Sequence, residues 1–286
     1  YMEKVLVTGA TGFIGNYVVE KLLQLNCHVI SSSAKEANAR QNSWFAKTDY
    51  RPLNLACLSA TQNYFEYFDK PDIMIHLSWE GLSNYKDNFH LERNLPEQIV
   101  FLENIIKNGL KNLNITGTCF EYGMKEGKLK EDMEVYPSNP YAQAKNELRI
   151  FIESLQEKYP FNYKWIRLFY MFGKGQNAKS LLSQLQQAID KGEETFNMSG
   201  GEQTRDFLPV DKVAEYIVTI AMQTKTTGII NCCSGVPVTV KQLVSNYLKT
   251  KNKSIKLNLG YYPYPDFEPM HFWGDNSKLK SITGND

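Results

Sequence analysis

The chain has 286 residues, 42% of them hydrophobic and 22% charged, which is enough apolar material for one large or two intimate domains. Its net charge of +1 exerts no long-range pull on nucleic acid or an anionic membrane, so neither is expected as a partner and an anionic ligand needs a local site. The first apolar run is only a strand long, which points away from a signal peptide or membrane span and makes the cytoplasm the expected location.

Val5-Leu6-Val7 leads at once into Thr8-Gly9-Ala10-Thr11-Gly12-Phe13-Ile14-Gly15, an order that predicts strand, tight turn and helix. Ile14, Val18 and Leu22, with Val19 and Leu23, recur at helical spacing, so Gly15 falls in the first turn of an amphipathic helix whose amino end can face a pyrophosphate. Gly9 permits the turn, Gly12 admits the phosphates, and Gly15 lets the helix approach the strand. Further strands are expected near residues 28–31, 52–55, 73–77, 113–116 and 165–169, with helices between them, notably over 95–108 and 141–158. That alternation predicts an α/β fold, a Rossmann-type doubly wound parallel sheet over residues 2–170. From 171 to 286 the order changes and suggests a smaller lobe, predominantly for substrate.

The second predicted strand ends Ile30-Ser31-Ser32-Ser33-Ala34-Lys35. A carboxylate there would bind the ribose diol of NAD, whereas small and basic residues leave room for the phosphate of NADP. Glu36 comes several residues late, so Ser31, Ser32, Ser33 and Lys35, helped by Arg40, favour NADP(H), with NAD(H) the alternative. Thr118 closes a predicted strand and offers a hydroxyl to a substrate oxygen. Tyr141 and Lys145 are four residues apart and share one helix face. An ammonium beside a phenol is expected to favour phenolate and to make proton transfer feasible at neutral pH. Five cysteines show neither a disulfide framework nor metal-ligand spacing; they read as small buried residues, and no metal is expected.

Together these residues resemble the extended short-chain dehydrogenase/reductase family, the epimerases, dehydratases and reductases of nucleotide sugars. The glycine loop Thr8 to Gly15, the segment Thr118-Cys119-Phe120-Glu121-Tyr122-Gly123, Pro140-Tyr141-Ala142-Gln143-Ala144-Lys145 and Arg205-Asp206-Phe207 carry the resemblance. It implies Tyr141 as acid/base, Lys145 as its electrostatic partner and Thr118 as the oxygen-orienting hydroxyl. It also implies cofactor contacts at Thr8, Gly9, Gly12, Phe13, Ile14, Gly15, Asn54, Leu55, Leu77, Ser78 and Asn94, beside Tyr141 and Lys145. Arg205 is implied as a contact to the substrate diphosphate, with Thr118, Cys119, Phe120 and Tyr170 lining the sugar site.

Departures from the family narrow the reaction. Cys119-Phe120 stands where dehydratases of the family carry Asp-Glu, which argues against dehydration, and Phe120 stands where GDP-fucose synthases place a reactive cysteine. Tyr170 replaces a common substrate-contacting asparagine. The aromatic, proline-rich tail from Gly260 to Trp273 is similar to tails of nucleotide-linked 4-keto-6-deoxyhexose reductases. The resemblance therefore implies NAD(P)H-dependent reduction of a 4-keto group on a nucleotide-diphosphate-linked deoxysugar that serves polysaccharide synthesis. A 4-epimerase retaining NAD, and a non-catalytic dinucleotide sensor, are the alternatives. A homodimer is expected through the helices near 95–108 and 141–158, with Ile99, Leu102, Ile105, Ile106, Leu148, Ile152 and Leu155 as candidate apolar positions, of which some must face the sheet.

Overall fold

Residues 1–82 and 84–284 are described by the computed structural model. In chain order the first part runs β1 Lys4–Thr8, α1 Phe13–Gln24, β2 His28–Ser31, α2 Glu36–Ala39, β3 Asp49–Tyr50, α3 Tyr64–Tyr67, β4 Ile73–His76, α4 Leu95–Lys107, β5 Asn112–Thr118, β6 Gly127–Leu129, α5 Pro140–Leu155 and β7 Asn162–Leu168. The second part runs β8 Tyr170–Phe172, α6 Leu181–Asp190, β9 Thr195–Asn197, β10 Thr204–Pro209, α7 Val210–Ala221, β11 Gly228–Cys232, β12 Pro237–Thr239, α8 Val240–Thr250, β13 Lys256–Asn258, β14 Phe272–Gly274 and α9 Ser277–Thr283.

Among the described residues, the main sheet has seven parallel strands in the order β11-β7-β5-β4-β1-β2-β3. The order reverses between β1 and β4, so a crevice opens beyond their carboxyl ends, where doubly wound sheets bind ligands. Side chains alternate across the sheet. Val5 and Val7 join Val18, Leu22, Val213 and Ile217 on the face covered by α1 and α7. Leu6 joins Phe101, Ile105, Leu148 and Ile152 on the face covered by α4 and α5.

A smaller sheet, β12-β10-β8, leads into a third apolar cluster of Leu182, Leu185, Phe196, Met198, Val244 and Leu248. The Asp206 carboxylate ties this region to the main sheet. It accepts from Ser234 N at 2.7 Å, Ser234 Oγ at 2.7 Å, Gly235 N at 2.9 Å and Gly274 N at 3.1 Å.

One expectation changes. The third strand is Asp49–Tyr50 and not residues 52–55, because Pro52 has no amide for the ladder and the chain turns through a 3₁₀ segment capped by Asn54. Across residue 170 the chain is continuous in its packing: β11 returns to pair with β7, and α7 packs beside α1. Of the proposed dimer positions, Leu102, Ile105, Ile106, Leu148, Ile152 and Leu155 are buried against the sheet. Only Ile99 of that set is partly exposed, and the outer surfaces of the two helices carry Val100 and Ile150. The cysteine expectation holds for Cys119, Cys232 and Cys233, whereas Cys27 is half-buried and Cys57 exposed.

At Gly15 the first helix lies hard against the glycine loop, and an added Cβ would lie 2.2 Å from Gly9 O. Gly15→Ala is expected to cost about 1–3 kcal/mol by overpacking, read as a lower urea midpoint with unchanged slope.

Candidate active site

The glycine loop joins β1 to α1 through a tight turn. Gly9 has a φ of +65°, and a Cβ there would come within 2.9 Å of Leu77 C and Ser78 N, so the loop lies directly against the end of β4. Gly12 precedes Phe13, Ile14 and Gly15 at the start of α1, and among the described residues no side chain caps that end. Its free amides point a positive dipole at the crevice. Beneath the loop runs a directed chain of hydrogen bonds. Thr8 Oγ1 accepts from Leu77 N at 3.1 Å and donates to His76 Nδ1 at 2.6 Å. His76 Nε2 donates to Gln98 Oε1 at 2.5 Å, and Gln98 Nε2 donates to Ser78 O at 2.7 Å. Burial pushes His76 down to about 4, so it is neutral, as this order of donors requires.

The residues expected around an NADP phosphate are arranged differently. Ser31 bonds Thr48 at 2.8 Å and Ser33 bonds Tyr50 Oη at 2.8 Å, both stitching β2 to its neighbour. Arg40 pairs with Glu36 at 3.1 Å. That leaves the exposed Lys35 and the buried Ser32 hydroxyl, which has no partner among the described residues. Ser32 O accepts from Ala10 N at 3.0 Å, which sets Ser32 against the glycine loop. Asn54 and Leu55 lie in the turn beyond β3, where Asn54 accepts from Ala56 N at 3.0 Å. An open glycine cradle with an unpartnered buried hydroxyl beside it fits a dinucleotide.

Thr118 ends β5, and Tyr141 and Lys145 lie on the first turns of α5; all three are buried. Pro140 at the first helical position and Asn139, which accepts from Ala142 N at 2.8 Å, fix where α5 begins. Lys145 Nζ donates to Thr116 O at 2.7 Å and lies 4.3 Å from the centre of the Trp79 ring. Burial pushes Lys145 down to about 7, opposed by the negative charge of Glu121. The Tyr141 phenol is raised well above its ordinary value, first by burial and then by Tyr85, Glu121 and Cys119. The expected shift toward phenolate is thus reversed: burial favours the protonated phenol, while the Lys145 ammonium is turned toward Thr116 and Trp79.

Sequence reasoning missed several neighbours. Trp79 and His90 pack against Tyr141 with ring centres 5.9 and 5.3 Å away, and Trp79 Nε1 donates to His90 Nδ1 at 3.0 Å. Asn94, expected near the cofactor, ends a π-turn from His90 and donates to Glu80 O at 2.9 Å, bracing this wall. Glu121 accepts from Thr118 N at 2.7 Å and pairs with Arg167 at 2.9 Å. The Thr-x-x-Glu spacing of a capping box was a legible signal for it.

Beyond Thr118, Phe120 stacks edge-on with Tyr85, Tyr170 and Phe267, and Cys119 is buried in a cluster with Tyr122, Phe169 and Phe272. Arg205 does not present the free fork expected. Its Nε pairs with Glu268 at 3.0 Å, and Nη1 donates to Thr204 O at 2.8 Å and Met270 O at 3.0 Å. Tyr170 Oη also donates to Glu268. The aromatic tail folds back over the site and is fastened by the Lys86–Asp266 pair at 2.8 Å. No cluster of metal-ligating side chains occurs, and no helix is long and apolar enough to cross a membrane, among the described residues.

With this geometry in hand, the sequence matches the NAD dependent epimerase/dehydratase family over residues 5–233, and the chain belongs to that family. It is 28% identical over 271 residues to the dTDP-6-deoxy-L-talose 4-dehydrogenase (NAD(+)) of Aggregatibacter actinomycetemcomitans, covering 94% of this chain and 98% of the relative. It is 27% identical to the GDP-6-deoxy-D-talose 4-dehydrogenase of the same organism, covering 99% of this chain and 92% of that one. Its fold is that of the UDP-N-acetylglucosamine 4-epimerase from Methanobrevibacter ruminantium M1, solved with UDP-N-acetylmuramic acid, at a TM-score of 0.86, 22% identity, and coverage of 99% and 93% of the two chains.

The buried lysine makes a signed prediction. Lys145 is an ammonium below about 7 and loses its proton above it, whereas an unfolded lysine holds its proton to about 10.5. Turnover that uses the ammonium therefore falls as pH rises through about 7. Between about 7 and 10.5 the unfolded chain binds the extra proton, so this group's contribution to stability rises with pH. A pH–rate profile and urea midpoints, each compared with Lys145→Met, check the two opposed trends.

Proposed function

We propose that the chain exchanges hydride at C4 of a nucleotide-diphosphate-linked 6-deoxyhexose, working as a reductase of the 4-keto sugar. The observation that carries this reading is the placement of Tyr141, buried one turn before Lys145 on α5, which packs against the β5 end that carries Thr118; burial there favours the protonated phenol. Two curated relatives whose names place oxidoreduction at C4 of a 6-deoxytalose nucleotide support the substrate class.

Phe13, Ile14 and Gly15 amides would receive the dinucleotide's pyrophosphate, with Gly9, Gly12, Leu77 and Ser78 framing it and Ser32 at the adenosine side. When bound in reduced form, that cofactor supplies the hydride. Thr118 donates its hydroxyl hydrogen to the C4 oxygen. Tyr141 delivers its phenolic proton to the same oxygen as the carbonyl becomes an alcohol. Lys145 stabilises the phenolate left behind, which a proton from solvent restores. With Ser31, Ser33 and Arg40 engaged elsewhere, we now favour NAD(H), in line with the family description and the first relative's name.

The direct test follows NADH and NADPH oxidation against a panel of 4-keto-6-deoxyhexose nucleotides, with products identified by NMR. Stoichiometric NADH oxidation with a C4 alcohol is expected, falling on the order of 10²–10⁴-fold in Tyr141→Phe. Interconversion of C4 epimers with no net NADH consumption would instead establish the 4-epimerase. No turnover with the whole panel, together with dinucleotide-dependent binding of another protein, would favour a sensor.

Substrate diphosphate is proposed to take Glu268's place on Arg205. Glu268→Gln should then tighten nucleoside diphosphate binding, and Arg205→Ala should weaken it by about 1.5–3 kcal/mol, both by calorimetry. Unchanged affinity in both variants would leave Arg205 as a fastening for the tail.

A further inference from the structure

We propose that Glu121 is a positioning residue for this reaction: from within a buried ion pair it fixes Thr118 by accepting its backbone amide. The inference rests on the reading of Thr118 and Lys145 given above, and its geometry is independent of which sugar is bound.

Glu121 is fully buried, and three donors converge on its carboxylate. Thr118 N lies 2.7 Å from Oε2, Arg167 Nε 2.9 Å from Oε1, and Trp165 Nε1 3.0 and 3.1 Å from the two oxygens. Only an acceptor-only group satisfies three N–H donors at once; an amide would turn its own N–H toward one of them. The chain makes room for this arrangement with Gly117, where a Cβ would sit 2.1 Å from Trp165 Nε1 and 2.5 Å from Glu121 Oε2.

An ion pair serving only the core would need no contact with Thr118. Here the contact decides what the threonine can do. Its amide is taken by Glu121, and its Oγ1 accepts from Phe120 N at 3.2 Å. The hydroxyl hydrogen is thereby left to donate outward, from a backbone that cannot rotate without breaking a buried charged hydrogen bond.

The charge has a second role. Around Lys145, whose Nζ rests on Trp79 and Thr116 O, stand Tyr141 on its own helix, His76 on β4 and His90 in the π-turn, and the Glu121 charge acts on it from within its ion pair. Burial lowers both histidines and raises the tyrosine, which leaves all three uncharged near neutral pH. Glu121 is the anion whose field reaches the ammonium and opposes its loss of a proton.

Glu121→Gln and Glu121→Asp separate position from charge. Lys145 is titrated by NMR of isotope-labelled lysine side chains in the cofactor-free protein, and kcat and KM are measured with the substrate found in the panel. Glu121→Gln should move the Lys145 titration to lower pH and lower kcat by about 10²-fold, the effect of a misplaced group, with KM for the dinucleotide unchanged. Glu121→Asp should lower kcat while leaving the titration near that of the native protein. If Glu121→Gln alone fails to fold, Glu121→Gln/Arg167→Met removes the stranded guanidinium and should show the same shift. A folded Glu121→Gln protein with native titration and native kcat overturns the proposal. A shifted titration in a protein that turns over no panel substrate upholds Glu121's hold on Lys145 and contradicts only the assigned reaction.

Discussion

An ammonium group kept in a dry place is the constraint around which this site is built. Lys145 is buried, makes its hydrogen bond to a neutral carbonyl and rests on the face of an indole, so its charge is compensated only in part. Everything close to it answers to that. The two histidines nearby are held neutral, the neighbouring phenol keeps its proton, and the carboxylate of Glu121 is shared with Arg167. In the proposed reaction such a site favours proton donation from Tyr141, because burial penalises the phenolate and the proton's departure becomes favourable only as charge develops on the oxygen that receives it.

The location follows from topology. Strand order reverses between β1 and β4, and the glycine loop after β1 closes onto the backbone after β4 with no room for a side chain at Gly9. The Thr8–His76–Gln98–Ser78 chain locks these two strand ends together and to α4. One strand over, β5 delivers Thr118 to the same edge of the sheet, and α5 brings Tyr141 and Lys145 across it. The second lobe contributes from above, through Arg205 and a tail whose Glu268 now occupies it.

Much of this was legible in the residues. The glycine loop, β2, β4, β5, the helices α4 and α5, and the catalytic candidates all carry local signals of period, capping or spacing. The third strand did not, because its two residues are too few for alternation and the apolar run after Pro52 was the more visible pattern. Partners distant in sequence were also hidden. Nothing local in Ser31 or Ser33 announces Thr48 and Tyr50, and nothing in Arg205 announces a carboxylate from the tail. The apolar residues of α4 and α5 were correctly read as a stripe, but a stripe does not say whether it faces a sheet or a second copy. Glu121 stood in plain view as the end of a capping box; its three-way role needed Gly117, Trp165 and Arg167 to be brought together by pairing of β5 with β7.

The most direct measurement is a crystal structure with both a nicotinamide dinucleotide and a 6-deoxyhexose nucleotide bound. The account places the sugar's C4 oxygen within about 3.2 Å of both Thr118 Oγ1 and Tyr141 Oη, with the diphosphate on Arg205 and Glu268 released. A sugar whose C4 oxygen reaches neither hydroxyl, in a complex competent for turnover, would contradict it.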